Sequence, residues 1–301
     1  MTLPASSPKN KNLILGTALW GWGVDKSTAY ELLDNFVSLG GKVVDTATNY
    51  PINKRPEDYG LALNWISEWL AMSGRSDIFV ITKIGAVDNM GSNTVNLTPS
   101  FIYDTKNYLF DRLGSALAAI AIHWDNRGNN ADIDATINAF SEISSSDLSI
   151  GFSGVENPQL YLDAAPDLAG KWWIQVKENA LSDAARQHYS LIFPNAHYLA
   201  YGINMGGIKL EPPSDTSSIV LRSINRHEGL VERLANYLNS KHVLSPPPSN
   251  LNELALTTSF LNPALSGVII GPRNVAQLRS TLSFWSRLRK ECKNENFVQL
   301  P

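Results

Sequence analysis

Short apolar segments recur along the whole chain, and most are followed by a stretch with the spacing of an amphipathic helix. Eight of these segments are predicted to be strands, at residues 13–17, 43–45, 78–83, 117–123, 148–152, 172–176, 197–201 and 267–271. Their nearly uninterrupted apolar content is typical of strands buried on both faces of a parallel sheet. Eight such repeats in 301 residues favour a closed ring of strands over an open sheet. We therefore predict an α/β fold, a single-domain (β/α)8 TIM barrel over residues 1–301.

Apolar residues at helical spacing predict the helices between these strands. The predicted helices cover residues 26–39, 59–72, 99–113, 131–144, 230–238, 250–261 and 274–289. Residues 202–228 show no periodicity and are predicted to be an unusually long loop, of the kind that is often functional or disordered. An open dinucleotide-binding sheet usually has a glycine-rich fingerprint after its first strand, which residues 16–21 do not supply.

Composition narrows the possible partners and location. The net charge of −3 gives no electrostatic reason to expect binding to nucleic acid or to an anionic membrane. Cys292 is the only cysteine, so an internal disulfide and a cysteine-rich metal site are excluded. The first twelve residues lack the apolar core of a signal peptide, and no run reaches the roughly 20 apolar residues that span a bilayer. We expect a soluble, cytoplasmic protein, and the sequence leaves its oligomeric state open.

Ionisable side chains lie at the ends of three consecutive predicted strands. Asp45 closes the second strand, Lys83 the third and His123 the fourth, and Tyr50 follows in the second loop. In a (β/α)8 barrel the carboxyl ends of the strands meet at one mouth, where chemistry takes place. Because charged groups at the ends of buried strands are costly unless they have partners, we expect these four residues to form one catalytic site.

The combination of a lysine with a tyrosine has a specific chemical use. A phenol has an ordinary pKa of about 10, which is too high for an efficient acid near neutral pH. A neighbouring ammonium stabilises the phenolate, and a unit charge at about 4 Å can supply the roughly 3–4 kcal/mol that a shift of 2–3 units requires. We expect Asp45 to hold Lys83 charged, Lys83 to tune Tyr50, and His123 to orient and polarise a substrate carbonyl. Such a site delivers a proton, so a separate hydride donor is required.

Short motifs spread along the chain resemble those of the aldo-keto reductase family. They are Leu15-Gly16-Thr17, Asp45-Thr46-Ala47-x-x-Tyr50, Thr82-Lys83, Ile122-His123-Trp124-Asp125, Gly151-Phe152-Ser153, Gln175, Ala200-Tyr201 and Ile270-Gly271-Pro272-Arg273. They occur in family order and extend over nearly the whole chain. The resemblance implies a barrel that binds NADPH without a Rossmann fold. It also implies that Tyr50 is the proton donor of a tetrad with Asp45, Lys83 and His123.

The resemblance further implies a set of cofactor contacts. Ser153 and Gln175 match residues that hold the nicotinamide carboxamide, and Tyr201 matches the aromatic residue that stacks on the nicotinamide ring. The complete implied cofactor-binding set is Gly16, Thr17, Ser153, Gln175, Tyr201, Gly271, Arg273 and Gln277. Phosphate sites after strands seven and eight are frequent in barrels, and a helix that begins near residue 274 favours anions.

The chain departs from the family pattern at four places. Gly154 stands where an asparagine is usual, Glu178 replaces a tyrosine, residues 202–204 replace a segment with proline and leucine, and Thr281 replaces an adenine-binding asparagine. These changes concern the cofactor and not the tetrad. The resemblance therefore implies NADPH as cofactor, and NADH is not excluded.

Tryptophans next to the predicted strand ends indicate the substrate pocket. Trp20 and Trp124 are the predicted pocket residues, and an aromatic wall with nearby polar groups suits a sugar-like or other polar carbonyl compound. We predict an NADPH-dependent oxidoreductase that reduces an aldehyde or ketone to the alcohol, or catalyses the reverse reaction. Two alternatives are a cofactor-binding regulatory or scaffold protein with little activity, and a lyase that uses Lys83 to form a Schiff base. The carboxylate of Asp45 argues against the lyase, because it keeps the amine charged.

Overall fold

The computed structural model of the protein describes residues 11–207, 210, 228–239 and 244–292. In this part of the chain, eight parallel strands form a closed barrel in chain order. The strands are β1 (Asn12–Gly16), β2 (Val43–Ala47), β3 (Phe79–Ile84), β4 (Leu117–Asp125), β5 (Ser149–Val155), β6 (Trp173–Lys177), β7 (His197–Tyr201) and β8 (Leu265–Ile270). The barrel closes where β1 pairs with β8, with Ile14 opposite Ile269. The predicted fold class and all eight predicted strands are confirmed.

Helices follow the strands and cover the outside of the barrel. Those in the described residues are α1 (Lys26–Ser38), α2 (Leu61–Ser73), α3 (Pro99–Leu113), α4 (Asn130–Ile143), α5 (Pro158–Ala164), α6 (Ala184–Ile192), α7 (Glu228–Asn239), α8 (Leu251–Leu261) and α9 (Val275–Glu291). The large apolar cluster lies between these helices and the strands. None of these helices is both long enough and apolar enough to cross a membrane.

Two helices were not predicted from the sequence. α5 has only seven residues, and α6 buries only Tyr189 among its nine residues, so each contributes few side chains to the core. The predicted loop 202–228 is only partly described, since residues 208, 209 and 211–227 lie outside the described residues. The segment 203–207 that follows Gly202 forms turns.

Inside the barrel, an apolar layer is followed by a layer of candidate site residues that lies nearer the carboxyl ends of the strands. Ile14, Val43, Ile81, Ala119, Trp173, Leu199 and Ile269 belong to one buried cluster with a member from nearly every strand. Side chains of a strand alternate between its two faces, so the residue two positions further on points into the same interior. Two positions beyond Val43 and Ile81 are Asp45 and Lys83. The same step from Trp173 and Leu199 leads to the predicted cofactor residues of β6 and β7.

A second buried lysine lies at the amino ends of the strands, at the opposite end of the barrel from Lys83. Lys11 directly precedes β1 and is 1% exposed. Its Nζ donates hydrogen bonds to the carbonyl oxygens of Ser259 (3.1 Å), Phe260 (2.6 Å) and Asn262, at the carboxyl end of α8. The final carbonyls of a helix have no partner within the helix, so Lys11 completes that end of α8.

Candidate active site

A cavity of about 530 Å³ opens at the carboxyl ends of the strands. It brings together all four predicted tetrad residues, both predicted pocket tryptophans and five of the predicted cofactor residues. These lining residues are Gly16, Trp20, Asp45, Tyr50, Lys83, His123, Trp124, Ser153, Gln175, Tyr201 and Gly271. Thr17, Arg273 and Gln277 do not line it. The side chains that the sequence placed on separate strands therefore converge on one site.

A buried ion pair lies at the bottom of this cavity. Lys83 Nζ is 2.5 Å from Asp45 Oδ2, and the two side chains are 2% and 5% exposed. Burial by itself lowers the pKa of the Lys83 ammonium, but the charge of Asp45 and the contact with Tyr50 outweigh burial and raise that pKa above its ordinary value. Lys83 is therefore a fixed positive charge over the whole neutral range.

Tyr50 lies beside this charge, three residues after the end of β2. The Lys83 ammonium is 5.0 Å from the centre of the Tyr50 ring and shares a side-chain hydrogen bond with the tyrosine. The Tyr50 backbone is held by two hydrogen bonds, from its N–H to Ala47 (3.3 Å) and from Ala62 to its carbonyl (3.2 Å). The phenol is thus fixed next to a cation that stabilises its ionised form.

His123 completes the tetrad from β4. Its ring centre is 5.4 Å from that of Tyr50 in an edge-to-face arrangement, and 4.2 Å from that of Trp124. Burial, followed by the nearby Lys83 charge, holds the pKa of His123 well below its ordinary value. The imidazole is neutral at neutral pH, and a neutral imidazole donates a hydrogen bond from one ring nitrogen.

Gln175 has a contact that the sequence prediction missed. Its Nε2 donates a hydrogen bond to Asp45 Oδ1 at 2.5 Å, and its backbone carbonyl accepts one from Ser153 Oγ at 3.4 Å. The family resemblance assigned this glutamine to the nicotinamide carboxamide and gave it no protein partner. The available signal was strand alternation, which places Gln175 and Asp45 in the same interior layer of the barrel.

The remaining predicted cofactor residues have different environments. Thr17 is fully buried, and its Oγ1 donates to the backbone carbonyl of Asp45 at 3.0 Å, so it supports the end of β2. Gly271 leaves open space where a Cβ would stand. The guanidinium of Arg273 donates to the Gly23 carbonyl at 3.1 Å, and the Arg273 backbone N–H donates to Gln277 Oε1 at 2.9 Å. This last pair lies at the amino end of α9, outside the main cavity.

Two of the positions that depart from the family pattern form links within the protein. The carboxylate of Glu178 accepts hydrogen bonds from Arg186 (2.9 Å) and Asn262 (3.0 Å). Burial raises the pKa of Glu178. Thr281 Oγ1 accepts from Asn252 at 3.0 Å, within a chain of side-chain contacts that continues to the loop after β7 through Asn204 Nδ2 (2.8 Å). Gly154, a third such position, lines the cavity.

Comparisons with known proteins agree with this architecture of a closed barrel with a polar mouth. The sequence model of the Aldo/keto reductase family matches residues 12–189, which is more than half of the chain. The chain therefore belongs to the aldo/keto reductase family. The match covers the tetrad, Ser153 and Gln175, whereas Tyr201 and the residues around Gly271 lie beyond it.

Individual relatives are similar over shorter segments. The chain is 30% identical to Protein tas of Escherichia coli (strain K12) over 136 residues, which is 42% of this chain and 39% of that protein. It is 36% identical to aryl-alcohol dehydrogenase GME11368 of Pestalotiopsis microspora over 88 residues, 27% of this chain and 21% of the relative. It is 43% identical to aldo-keto reductase ausK of Emericella nidulans over 63 residues, 21% of this chain and 14% of the relative. The matched segments thus span two fifths or less of these relatives.

Proposed function

We propose that the protein is an NADPH-dependent oxidoreductase that reduces an aldehyde or ketone to an alcohol. The observation that carries this proposal is the cluster of Asp45, Lys83, Tyr50 and His123 at the wall of one cavity. A phenol beside a buried ammonium and a neutral imidazole is suited to proton delivery to a carbonyl oxygen. Membership of the aldo/keto reductase family supports the same reaction class.

The residues of the cavity fit a nicotinamide cofactor. Ser153, Gln175 and Tyr201 line one wall, where they offer hydroxyl, amide and aromatic groups to a nicotinamide. The open space at Gly271 allows close approach to the backbone, and Arg273 at the amino end of α9 is suited to an anionic phosphate. Bound NADPH would supply the hydride, and a contact of its 2′-phosphate with Arg273 would favour it over NADH.

The tetrad residues divide the work of proton transfer. Asp45 keeps Lys83 charged and fixed in position, and Lys83 lowers the cost of removing the proton from Tyr50. Tyr50 donates its phenolic proton to the carbonyl oxygen, and His123 donates a hydrogen bond that orients the same oxygen. General acid catalysis of this kind accelerates a reaction by about 10²–10⁴-fold.

The residues that line the cavity favour a polar, sugar-like carbonyl compound as the substrate. Trp20 and Trp124 line the cavity together with polar residues such as Asn204. Apolar rings with a few polar groups are the usual composition of such pockets.

Substitution of the proton donor tests the proposal. We expect Tyr50→Phe to lower kcat for carbonyl reduction by about 10²–10⁴-fold. NADPH binding, followed by the quenching of intrinsic tryptophan fluorescence, should be retained. Tyr103→Phe is the matched control, because Tyr103 lies on α3 and donates its hydroxyl to Glu142 at 2.6 Å, outside the cavity. Turnover by Tyr50→Phe at the rate of this control would contradict the proposed mechanism.

One structural observation favours a second function, that of a cofactor-binding regulatory protein with little activity. Glu178 and Thr281 differ from the family pattern and are held by contacts within the protein. A set of aldehydes and ketones, assayed by NADPH absorbance, discriminates between the two functions. A lyase with Lys83 as nucleophile is disfavoured, because the Asp45 carboxylate keeps that amine protonated.

A further inference from the structure

We propose that Gln175 is a positioning residue, whose side-chain amide fixes the Asp45 carboxylate and through it the Lys83 ammonium. The proposal rests on the proposed function, because it concerns assembly of the proton-delivery group. It adds a protein-directed role to a residue that family resemblance relates to the cofactor alone. The observation behind it is the 2.5 Å hydrogen bond from Gln175 Nε2 to Asp45 Oδ1.

This hydrogen bond crosses the barrel. Gln175 lies on β6 and Asp45 on β2, and in the closed ring of eight strands these two are four positions apart in either direction. The interior of an eight-stranded barrel is just wide enough for side chains to fill it, so opposite walls can meet through one long side chain. Gln175 is 4% and Asp45 3% exposed, so both residues are buried although they line the cavity.

The two oxygens of the Asp45 carboxylate have different donors. Oδ2 is paired with Lys83 Nζ, and Oδ1 accepts from Gln175. Two donors on two oxygens fix the rotation of the carboxylate, and therefore fix where the ammonium sits relative to Tyr50. Without the amide, Oδ1 would lose the one donor that it has among the described residues, and an unpaired buried acceptor of a charged group is strongly unfavourable.

The proposed role requires an amide at position 175, because an amide has both a hydrogen-bond donor and an acceptor. The amide nitrogen donates to Asp45, which leaves the amide oxygen as an acceptor at the cavity wall. A glutamine can therefore accept from a ligand carboxamide and donate to Asp45 at the same time. The other titratable groups around the pair are Lys83 from β3, Tyr50 from the loop after β2, His123 from β4 and Tyr201 from β7.

A double-mutant cycle in the cofactor-free protein tests the contact directly. Urea unfolding at pH 7 is measured for the wild type, Gln175→Met, Asp45→Asn and the double variant. We expect Gln175→Met to lower the folding equilibrium constant about ten- to hundredfold more in the wild type than in the Asp45→Asn background. Additive effects would overturn the proposal. Since no turnover is measured, this outcome is independent of whether the protein reduces carbonyls.

A glutamine–aspartate pair on the surface is the control for this double-mutant cycle. Gln159 donates to Asp163 at 2.8 Å on the exposed face of α5, so Gln159→Met and Asp163→Asn test the same chemical pair in water. We expect a coupling of at most about twofold there.

Should Gln175→Met fail to fold, Gln175→Glu is a second variant that tests the same contact. It places a second carboxylate beside Asp45, so its stability relative to wild type should recover as the pH falls from 8 to 5; a constant difference would overturn the proposal.

The catalytic readout separates positioning from cofactor binding. In Gln175→Met we expect kcat at saturating NADPH and substrate to fall about tenfold, because the Asp45 carboxylate loses a donor and no longer holds Lys83 in place. Ser153→Ala, at the other predicted carboxamide contact, should raise the Kd for NADPH and leave this kcat unchanged. A raised Kd in Gln175→Met with an unchanged kcat would assign Gln175 to the cofactor alone.

Discussion

The two ends of the barrel each contain a buried lysine, and the two lysines have opposite properties. Lys83 at the carboxyl ends of the strands is 2% exposed and is paired with the Asp45 carboxylate at 2.5 Å. Lys11 at the amino ends is 1% exposed and donates to three backbone carbonyls of the segment around Phe260. The pKa of Lys83 is raised, whereas burial lowers the pKa of Lys11 to about 8.

The difference shows that the partner, and not burial, decides whether a buried amine keeps its proton. A carboxylate offers a full counter-charge, whereas carbonyl groups at a helix end offer only partial charges. The mouth of the barrel thus keeps a permanent cation next to Tyr50, where proton delivery needs one. At the amino ends Lys11 caps α8 and can lose its charge in mildly alkaline solution. Both lysines are structurally buried, but only the one with a counter-charge is suited to tune a phenol.

The largest effect is expected from removing the cation at the mouth. Lys83→Met should lower kcat about 10²–10⁴-fold, and it should destabilise the fold by about 3–5 kcal/mol because Asp45 is left buried without its counter-charge. The double variant Lys83→Met/Asp45→Asn should regain most of the stability and none of the activity. Kinetics and urea unfolding measure both. Equal stability of the single and double variants would show that the ion pair does not hold Asp45.

Lys11 should give the fold a pH dependence of the opposite sign from Lys83. Its pKa is about 8 in the folded state and about 10.5 when unfolded, so between these values the unfolded chain binds more protons and stability rises with pH. The full rise is about 3 kcal/mol, at 1.36 kcal/mol per unit. Lys83, with its raised pKa, loses its contribution only above pH 10.5.

Thermal or urea unfolding from pH 7.5 to 10 in the variant Lys11→Met checks this sign. The variant replaces the amine with an apolar chain of similar length, and we expect its stability to lack the rise seen in the wild type. Lys26→Met is a suitable control, since Lys26 is half exposed and forms its ion pair with Glu68 at the surface. A rise of the same size in Lys11→Met would mean that Lys11 remains charged in the fold.

His123 is a base at the mouth of the barrel that has no carboxylate partner among the residues the structure describes. Its pKa is held well below the ordinary value of about 6.5, so below pH 6.5 the unfolded chain takes up a proton that the folded chain does not. Acidification from pH 6.5 to pH 5 should therefore lower the stability of the fold through this residue. His123→Gln should reduce that loss, while His188→Gln on the exposed face of α6 should not. An NMR titration in which the His123 ring becomes charged above pH 6 would contradict this expectation.

Strand periodicity made the mouth of the barrel predictable from sequence. Asp45 and Lys83 each end an apolar run, and their side chains fall on the interior face because they lie two positions beyond Val43 and Ile81. The parallel order of the strands then brings them together. Local pattern and barrel topology together were therefore sufficient to predict that the four tetrad residues would converge.

Contacts that depend on barrel closure could not be predicted in the same way. Gln175 and Asp45 are 130 residues apart and lie on opposite strands, so their hydrogen bond depends on the barrel diameter and on the reach of one side chain. Lys11 caps a helix about 250 residues away in sequence. The helices α5 and α6 were missed for a different reason, since α5 has only seven residues and α6 buries only one of its nine.

The smallest predicted effect concerns a third cation, Arg273, whose partner is also a carbonyl but whose bond to Gly23 is exposed at the amino end of α9. Because water surrounds this bond, a cofactor phosphate can replace it at little cost, unlike the bonds of Lys11. We expect Arg273→Ala to raise the Kd for NADPH about tenfold and to leave the Kd for NADH nearly unchanged. Arg279→Ala on the same helix, where Arg279 binds Asn35, is the control. An equal loss of affinity for NADPH and for NADH would show that Arg273 does not bind the 2′-phosphate. Of the three cations compared, only Lys83 would then have a role in the reaction.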